Sequence, residues 1–221
     1  MKSSIGLDVH DMHNYEKQRE DWRQQFLTLD QEDICKRLPE VCKSDTHLPL
    51  WHYGRQFAVN QKDGVISALS DDKPVDVMPQ LNIYTLYWYA SAAAQLTGEW
   101  IPFREMKDGS PFTTSFQNGI LTPLAATFAG KDERLEKAVE TLQEKRLTNS
   151  SFHLPAFACI PVKLLFWDGD DKFPAQANIL FDKSATDFIH IESIVTIATE
   201  MLYQLADAAE LPIQGNVFYR F

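Results

Sequence analysis

Three carboxylates lie within four positions in the segment Asp168-Gly169-Asp170-Asp171. Hard cations such as Ca²⁺ and Mg²⁺ bind clustered oxygen ligands, so this segment is a candidate ligand site. The ligand alternation and the final glutamate of an EF-hand are absent, and aspartate is also common in turns. The segment is therefore either a ligand site or a solvated turn. Asp182, which ends the next apolar run, is a further ligand-binding candidate.

Two arginines lie beside aromatic residues. Arg104 and Glu105 follow Trp100 in the segment GEWIPFREM, and Arg55 lies in HYGRQF. A guanidinium group beside aromatic rings can hold a carboxylate or a phosphate, which makes these four residues ligand-binding candidates. The structural alternative is that Arg104 pairs with the acidic segment 168–171 and locks two strands together.

Two pairs of histidines have spacings that are weak signals for zinc. His10 and His13 lie three positions apart, and His47 and His52 flank Trp51. An i, i+3 pair on a helix can bind zinc, but neither pair has a third ligand nearby in the sequence. We therefore assign no metal-binding residue.

Cysteine usage indicates a reducing compartment. The sequence holds three cysteines, Cys35, Cys42 and Cys159. Reduced thiols are expected for this odd number in a chain without a secretion signal, although Cys35 and Cys42 could bridge if oxidised. Cys159 precedes an apolar strand, so we expect a buried small side chain rather than a nucleophile.

An aromatic helix is predicted from Leu81 to Leu96. It is apolar on almost every side and includes Tyr84, Tyr87, Trp88 and Tyr89. Such a helix is usually buried, and the alternative is that its rings line a pocket for a flat cofactor. No serine elbow, phosphate loop, dinucleotide fingerprint or zinc-protease helix occurs in the sequence. The cofactor and any catalytic residue are therefore unknown.

The acidic segment is positioned by two apolar runs, Val162–Trp167 and Ala177–Phe181. Asp-Gly between such runs is a strong hairpin signal, and Pro174 marks the exit of a loop longer than two residues. Both runs are apolar at nearly every position, which predicts the centre of a sheet with both faces covered. Trp167, beside the carboxylates, is another ligand-binding candidate.

The other elements follow from periodicity and turn residues. Two helices are predicted by their bounds, from Asp30 to Pro39 and from Glu192 to Ala209. Three more are predicted by their apolar stripes: Tyr15, Trp22, Phe26 and Leu29; Phe116, Ile120, Leu124 and Phe128; and Leu135, Ala138, Val139, Leu142 and Leu147. Strands are predicted at Leu50–Val59, with Gly54 as either a bulge or a point of close approach, at Val65–Leu69, near Trp100 and in the tail Val217–Phe221. Residues 1–13 are predicted to be a disordered or loosely docked start, and residues 40–49 a polar connector.

Charge and composition argue against two classes of partner. The chain has 21 basic and 31 acidic residues and a net charge of −10, which argues against a general nucleic-acid surface. No apolar run reaches the roughly 18 residues of a membrane helix, and the N-terminus lacks an apolar signal core. We therefore expect a cytoplasmic protein without a nucleic-acid or membrane partner.

Hairpins interrupted by helix-rich segments predict an α+β fold rather than a doubly wound sheet. We predict a mostly antiparallel sheet of about four to six strands with helices packed on it. Residues 46–221 would form this single domain, and residues 1–45 an N-terminal helical extension.

The segments GEWIPFREM and WDGDDKFPAQANILFD resemble an uncharacterised bacterial and archaeal family, called domain of unknown function 3786. YGRQFAV, the helix before GEWIPFREM and the helix after ILFD occur in the expected order, so the resemblance covers about residues 45–207. It implies a cytoplasmic protein of anaerobes. In some relatives the domain follows an iron–sulfur segment, which implies a link to corrinoid or one-carbon metabolism. Here the first 45 residues hold only Cys35 and Cys42, too few for a cluster.

Two hypotheses for the function follow. The preferred one is a non-catalytic binding or accessory module, with a small-molecule ligand or a protein of an iron–sulfur or corrinoid system as its partner. The alternative is an enzyme that uses the carboxylates of the hairpin loop with Arg104, with or without a metal. An enzyme would bring Arg104 or Glu105 into one cleft with those carboxylates, whereas a binding module needs only an apolar pocket or patch. The oligomeric state is open.

Overall fold

Helices and antiparallel sheets make up the fold, seen in a computed structural model that describes residues 9–41, 46–142, 145–148 and 150–217. The helices are α1 (Val9–Phe26), α2 (Gln31–Arg37), α3 (Val77–Tyr89), α4 (Thr113–Phe116), α5 (Thr122–Phe128), α6 (Asp132–Thr141), α7 (Ala185–Phe188) and α8 (Ile191–Ala208). The strands are β1 (His47–His52), β2 (Arg55–Asn60), β3 (Ile66–Ala68), β4 (Trp100–Pro102), β5 (Lys145–Thr148), β6 (Ser151–His153), β7 (Val162–Trp167) and β8 (Gln176–Asp182). The predicted α+β class is confirmed.

The larger sheet has five strands in the order β4-β8-β7-β6-β5. Strands β7 and β8 pair antiparallel, with Val162 opposite Phe181 and Trp167 opposite Gln176. The predicted hairpin is therefore confirmed, and it lies in the interior of the sheet. Strands β4 and β5 form the two edges, as expected for a β4 that contains Pro102.

Helices cover only one face of this sheet. Along β7, alternate residues from Val162 to Phe166 are buried, whereas Lys163 and Leu165 are half-buried and Trp167 is exposed. The expectation that both faces are covered is wrong. The outward residues Leu165 and Trp167 are themselves apolar, so the sequence conceals the period of two that a one-sided strand should show.

Helix α8 lies at the centre of the helical layer. It contacts α3 and α6, and its residues Ile194, Ala198, Met201 and Leu205 are fully buried. The predicted C-terminal helix is confirmed within one residue at each end. No helix in the described part of the chain is long and apolar enough to cross a membrane.

The predicted stripe from Phe116 to Phe128 is helical and buried, and its interval of four has a structural cause. Residues Gln117–Leu121 form a π turn between α4 and α5. A π turn inserts an extra residue into the helix, which helps to keep an interval of four on one side. Gly130 ends the run at a φ of 68°, which a residue without a side chain adopts easily.

A second, separate sheet has the order β1-β2-β3. The run Leu50–Val59, predicted as one strand, is itself a hairpin, because Tyr53 and Gly54 turn the chain at φ values of 44° and 69°. Gly54 therefore belongs to a two-residue turn, and its prediction as a bulge is wrong. Tyr53 is held in this unusual conformation by distant contacts, since its hydroxyl donates to Ile197 O at 2.9 Å and its N–H to Ala156 O at 3.2 Å.

Helix α3 ends at Tyr89, well before the predicted end at Leu96. Arg37 donates to two carbonyl oxygens of its last turn, at 2.9 and 2.7 Å. The N–H of Ser91 donates to Asp187 O at 3.0 Å instead of continuing the helix. Tertiary hydrogen bonds therefore override the helix propensity of the alanines that follow.

The N-terminal region is more ordered than predicted. Helix α1 begins at Val9, so a disordered start is wrong from that point, whereas loose docking of residues 9–13 stays a prediction. Residues 1–8 lie outside the described residues. Asp30 caps α2 by accepting from Glu32 N at 2.9 Å, as the predicted cap requires. Phe26 and Ile34 lie in the same core as the sheets. The domain boundary at residue 46 stays a prediction.

Three further predictions fail in detail. Strand β1 already begins at His47, inside the predicted polar connector. Leu147 lies in β5, 42% exposed, rather than on the buried side of α6. Strands β5 and β6 are missed altogether. The strand predicted in the tail Val217–Phe221 cannot be compared with the structure beyond Val217, because residues 218–221 lie outside the described part.

Candidate functional site

The acidic loop between β7 and β8 has the hydrogen bonds of a turn. Asp168 Oδ1 accepts from the N–H groups of Gly130 and Gly169, both at 2.7 Å. Asp170 Oδ1 accepts from the N–H groups of Lys172 and Phe173 at 2.7 and 2.8 Å, and these bonds lower the pKa of the Asp170 carboxyl. The carboxylates bond to backbone donors of the turn, and this geometry favours the interpretation as turn chemistry. Asp171 is exposed in the same loop.

Arg104 and Glu105 form no hydrogen bond or ion pair with this loop among the described residues. Arg104 Nη2 is 3.4 Å from Glu105 Oε1, and both side chains are exposed. Among the described residues, Arg104 forms no other salt bridge. The expectation that Arg104 pairs with the acidic segment is wrong, because the chain turns into a short 3₁₀ helix at Phe103–Glu105 directly after β4.

Arg55 closes a loop of its own sheet. Its guanidinium group forms a two-bond pair with Asp71, at 2.8 and 2.7 Å, and donates to Lys73 O at 2.8 Å. The hydrogen bond from Arg55 is the main cause that lowers the pKa of Asp71. The guanidinium also lies over the ring of Phe57. These contacts account for Arg55 without a ligand.

Asp182 is buried and joins two parts of the chain, its own segment and residues 97–98. Its carboxylate accepts from the N–H and the hydroxyl of Thr97, from Gly98 N, and from the N–H and the hydroxyl of Ser184, at 2.6 to 3.0 Å. Burial would raise the pKa of Asp182 and is the largest influence, but the bonds from Ser184 and Thr97 outweigh it and hold the pKa well below its ordinary value. Protein donors therefore occupy the carboxylate.

Trp100 and Trp167, the two remaining candidates, lie on the uncovered face of the larger sheet. Leu180 pairs with Pro102 on one side and with Lys163 on the other, so these residues form one row across the sheet. We call this surface the open sheet face and define it by six outward residues, Trp100, Pro102, Lys163, Leu165, Trp167 and Leu180. The polar residues Asn178 and Gln176 of β8 point to the same side, opposite Leu165 and Trp167.

Lys163 lies near the middle of the open sheet face. Its Nζ is 3.8 Å from the centre of the Trp100 ring, a cation–π contact. Lys163, Leu165 and Leu180 were not identified as site residues from the sequence. The signal that could have found them is the alternation in β7 and β8 once one face is known to be open.

A buried polar network connects β1, α3 and α8. His52 Nε2 is 2.8 Å from Glu200 Oε2, and its Nδ1 is 2.7 Å from Ala156 O. Asn82 and Gln204 each donate an amide hydrogen to Glu200, at 2.8 and 2.7 Å. Both ring nitrogens of His52 are therefore occupied, which excludes the zinc pair considered for His47 and His52. His10 and His13 lie in α1, and their side chains are outside the description.

The aromatic helix α3 is mostly core. Tyr84 and Tyr87 are buried, and the Tyr84 hydroxyl donates to Gly64 O at 2.6 Å while burial raises its pKa to about 12. Trp88 and Tyr89 reach the surface and contact Trp22 of α1. The rings fill space between helices, as core packing predicts.

Two depressions of the described surface could be offered to a small molecule. One, of about 420 Å³, is lined by residues 130–134 and Asp168, and another, of about 510 Å³, lies at His47 and Lys62. Both are shallow and open to solvent. Within the described ranges, no group of three or more His, Cys, Asp or Glu residues could hold a metal ion.

The cysteines differ from the expectation of reduced thiols. Cys35 is disulfide-bonded, so that expectation is wrong for this residue. Cys159 is a free, buried thiol, as expected for a small side chain in the core. Burial raises its pKa to about 12. Disulfides persist mainly in oxidising compartments.

Comparison with known proteins gives one match. A family model described as "Domain of unknown function (DUF3786)" matches residues 30–204. The matched range begins earlier than the resemblance over about residues 45–207, and it contains both sheets and the complete open sheet face. Neither a curated protein nor a solved structure matches the chain.

Proposed function

The chain belongs to the family of the domain of unknown function DUF3786, and we propose that it is a non-catalytic accessory module that binds another protein through the open sheet face.

One observation carries this proposal: apolar side chains point outward from three neighbouring strands on one face of the larger sheet. Trp167 is 44% exposed at one end of β7, and Leu165, Leu180 and Trp100 are half-buried on the same side of the sheet. The polar residues Gln176 and Asn178 lie on this side as well, opposite Trp167 and Leu165. Contiguous apolar surface costs free energy in water, and in proteins it commonly marks an interaction site. Tryptophan is also the residue type that contributes most often to binding hot spots.

The geometry offers less to the alternative of an enzyme. The carboxylates of the hairpin loop accept hydrogen bonds from backbone N–H groups, and Arg104 bonds to Glu105. The two sets are not joined by any ion pair in the described ranges. A catalytic site of the kind considered would need them in one cleft.

Three finer points belong to the same proposal. The partner is a protein of an iron–sulfur or corrinoid system, as the family resemblance implies. A small-molecule ligand has only shallow depressions available among the described residues. The proposed location is the cytoplasm, as the family resemblance implies. The disulfide at Cys35 is the observation against it, because disulfides persist mainly in oxidising compartments.

The test is affinity purification of the full chain from its source cells, with two variants that match in exposure. Trp167→Asp places a charge on the open sheet face, and Trp51→Asp does the same on the outer side of the smaller sheet, where Trp51 is 54% exposed. A protein retained by wild type and Trp51→Asp but lost with Trp167→Asp is then purified, and its binary affinity is measured by calorimetry. We expect Trp167→Asp to weaken binding at least about tenfold.

The proposal fails if every protein retained by the wild type is retained equally by Trp167→Asp. It also fails if the purified candidate binds both variants with the same affinity. Circular dichroism of each variant checks that the fold is intact.

A further inference from the structure

The charge at the centre of the open sheet face indicates what kind of partner can cover it. Lys163 lies on β7, the central strand of the larger sheet, with Leu180 directly opposite it and Leu165 two positions along. Its ammonium group rests on the ring of Trp100 at 3.8 Å. On its other side Lys163 lies opposite His153 of β6, and Asn178 of β8 lies opposite Leu165. The face thus combines apolar and uncharged polar side chains with a positive charge near its centre, although the chain carries a net charge of −10.

This ammonium group has no carboxylate partner within the described ranges. Other cations near the sheet do have one: Lys183 pairs with Glu99 at 3.0 Å, and Arg146 pairs with Glu136 at 2.6 Å. The outward positions of β4, β7 and β8 hold no acidic residue except Asp182. The oxygens of Asp182 are bonded to Thr97, Gly98 and Ser184.

Burial of an ammonium group without an anion is strongly unfavourable, whereas apolar side chains around it favour burial. A partner that covers the open sheet face must therefore bring a negative group to Lys163. A second copy of this chain brings another Lys163 in a symmetric pairing, which is repulsive. An anionic membrane would be repelled by the overall charge of the chain.

We propose that the open sheet face binds an acidic protein segment, in which an Asp or Glu surrounded by apolar side chains places its carboxylate against Lys163. This inference rests on the proposed function and names the chemistry of the partner. Trp100 holds the ammonium group in place and leaves its N–H donors available to the carboxylate. Trp167, Leu165 and Leu180 provide the apolar surround.

The test uses a phage-displayed library of random 16-residue peptides, selected on the immobilised full chain. Selected peptides are synthesised and titrated against wild type and three variants by fluorescence anisotropy. Trp167→Asp tests the face and Lys163→Gln tests the charge. Lys183→Gln removes an exposed lysine outside the face as a control.

We expect face-dependent peptides to be rich in apolar residues with an Asp or Glu. Lys163→Gln should weaken their binding about tenfold, and Lys183→Gln should leave it unchanged. Replacing the peptide's carboxylate by its amide should weaken its binding to wild type by the same factor. The same replacement should not weaken its binding to Lys163→Gln any further. Selection on Lys163→Glu should yield Lys- or Arg-bearing peptides instead.

Each contrary result identifies what fails. Peptides that depend on Trp167 but not on Lys163 overturn the acidic partner and leave the docking function standing. A selection without any Trp167-dependent peptide overturns the docking function itself. Binding to phosphatidylserine vesicles that depends on Lys163 would identify a membrane as the partner instead of the acidic segment. A concentration-dependent dimer that Trp167→Asp abolishes would identify a second copy of the chain instead.

Discussion

His52 Nε2 lies 2.8 Å from Glu200 Oε2, and both side chains are buried. Because His52 Nδ1 faces Ala156 O at 2.7 Å, both ring nitrogens point at oxygen atoms. Both ring nitrogens are therefore engaged by buried oxygens, and the tautomer of the ring decides which nitrogen donates. This pair joins the smaller sheet to α8, the helix at the centre of the helical layer.

Glu200→Ala should destabilise the protein by about 3 kcal/mol. The substitution removes the acceptor for His52, Asn82 and Gln204 and leaves buried donors unpaired. Urea denaturation followed by circular dichroism measures the free energy of unfolding. Asp207→Ala, at an exposed position of the same helix, is the control and should change it by less than about 0.5 kcal/mol. Equal effects would contradict a structural role for the network.

Asp182→Asn should make stability less dependent on acid pH. The pKa of Asp182 is held below its ordinary value in the folded chain, so its contribution is present above about pH 4, the pKa of an unfolded aspartate, and is lost as the pH falls further. Wild type should therefore lose more unfolding free energy than Asp182→Asn between about pH 5 and pH 2. At pH 7 the variant should be about 2 kcal/mol less stable. Parallel pH curves would show that Asp182 is not the group responsible.

Alkylation of the cysteines should distinguish bonded from buried thiols. Cys159 should not react with iodoacetamide in the native state, because burial raises its pKa to about 12 and excludes the reagent. In denaturant without a reductant, mass spectrometry should show one adduct, on Cys159, and with a reductant it should show three, the number of cysteines in the chain. Three adducts without a reductant would mean that the purified protein lacks the Cys35 disulfide.

Arg55→Ala should loosen one loop and leave the rest of the fold unchanged. Arg55 bonds to Asp71 and to Lys73 O, and the side chains of Arg55 and Asp71 are 22% and 32% exposed, so the expected loss of stability is about 1 kcal/mol or less. Hydrogen exchange should increase over residues 70–76 only. Arg104→Ala, at the other arginine candidate, should change neither stability nor exchange, because that side chain bonds only weakly to Glu105 at 3.4 Å. Exchange that rises equally in both variants would argue against a loop-closing role for Arg55.

The sequence predicts best where local signals agree. The hairpin of β7 and β8 is recovered because two apolar runs enclose an Asp-Gly loop, and α8 because its stripe is regular. Prediction fails where distant contacts decide the local structure. The turn at Tyr53 depends on Ile197, and the end of α3 depends on Arg37.

The candidate site shows the same limit. Trp100 and Trp167 can be selected from their types and neighbours, but Lys163 acquires its role only from the ring of Trp100, which the register of β4, β8 and β7 brings beside it. The carboxylates of the loop are selected from the sequence because they are clustered. In the structure Asp168 and Asp170 accept hydrogen bonds from backbone N–H groups.

The short edge strand β4 limits how this protein can self-associate. Lys183 N donates to Glu99 O, so by alternation the backbone groups of Trp100 and Pro102 point away from β8, toward the free edge. Proline has no N–H to offer there, and the opposite edge strand β5 is interrupted by a bulge between Arg146 and Thr148. Another strand therefore finds no regular ladder on either edge of the larger sheet. Pairing through the edges of this sheet should not seed fibrils, and thioflavin T fluorescence of the concentrated native protein should stay at baseline.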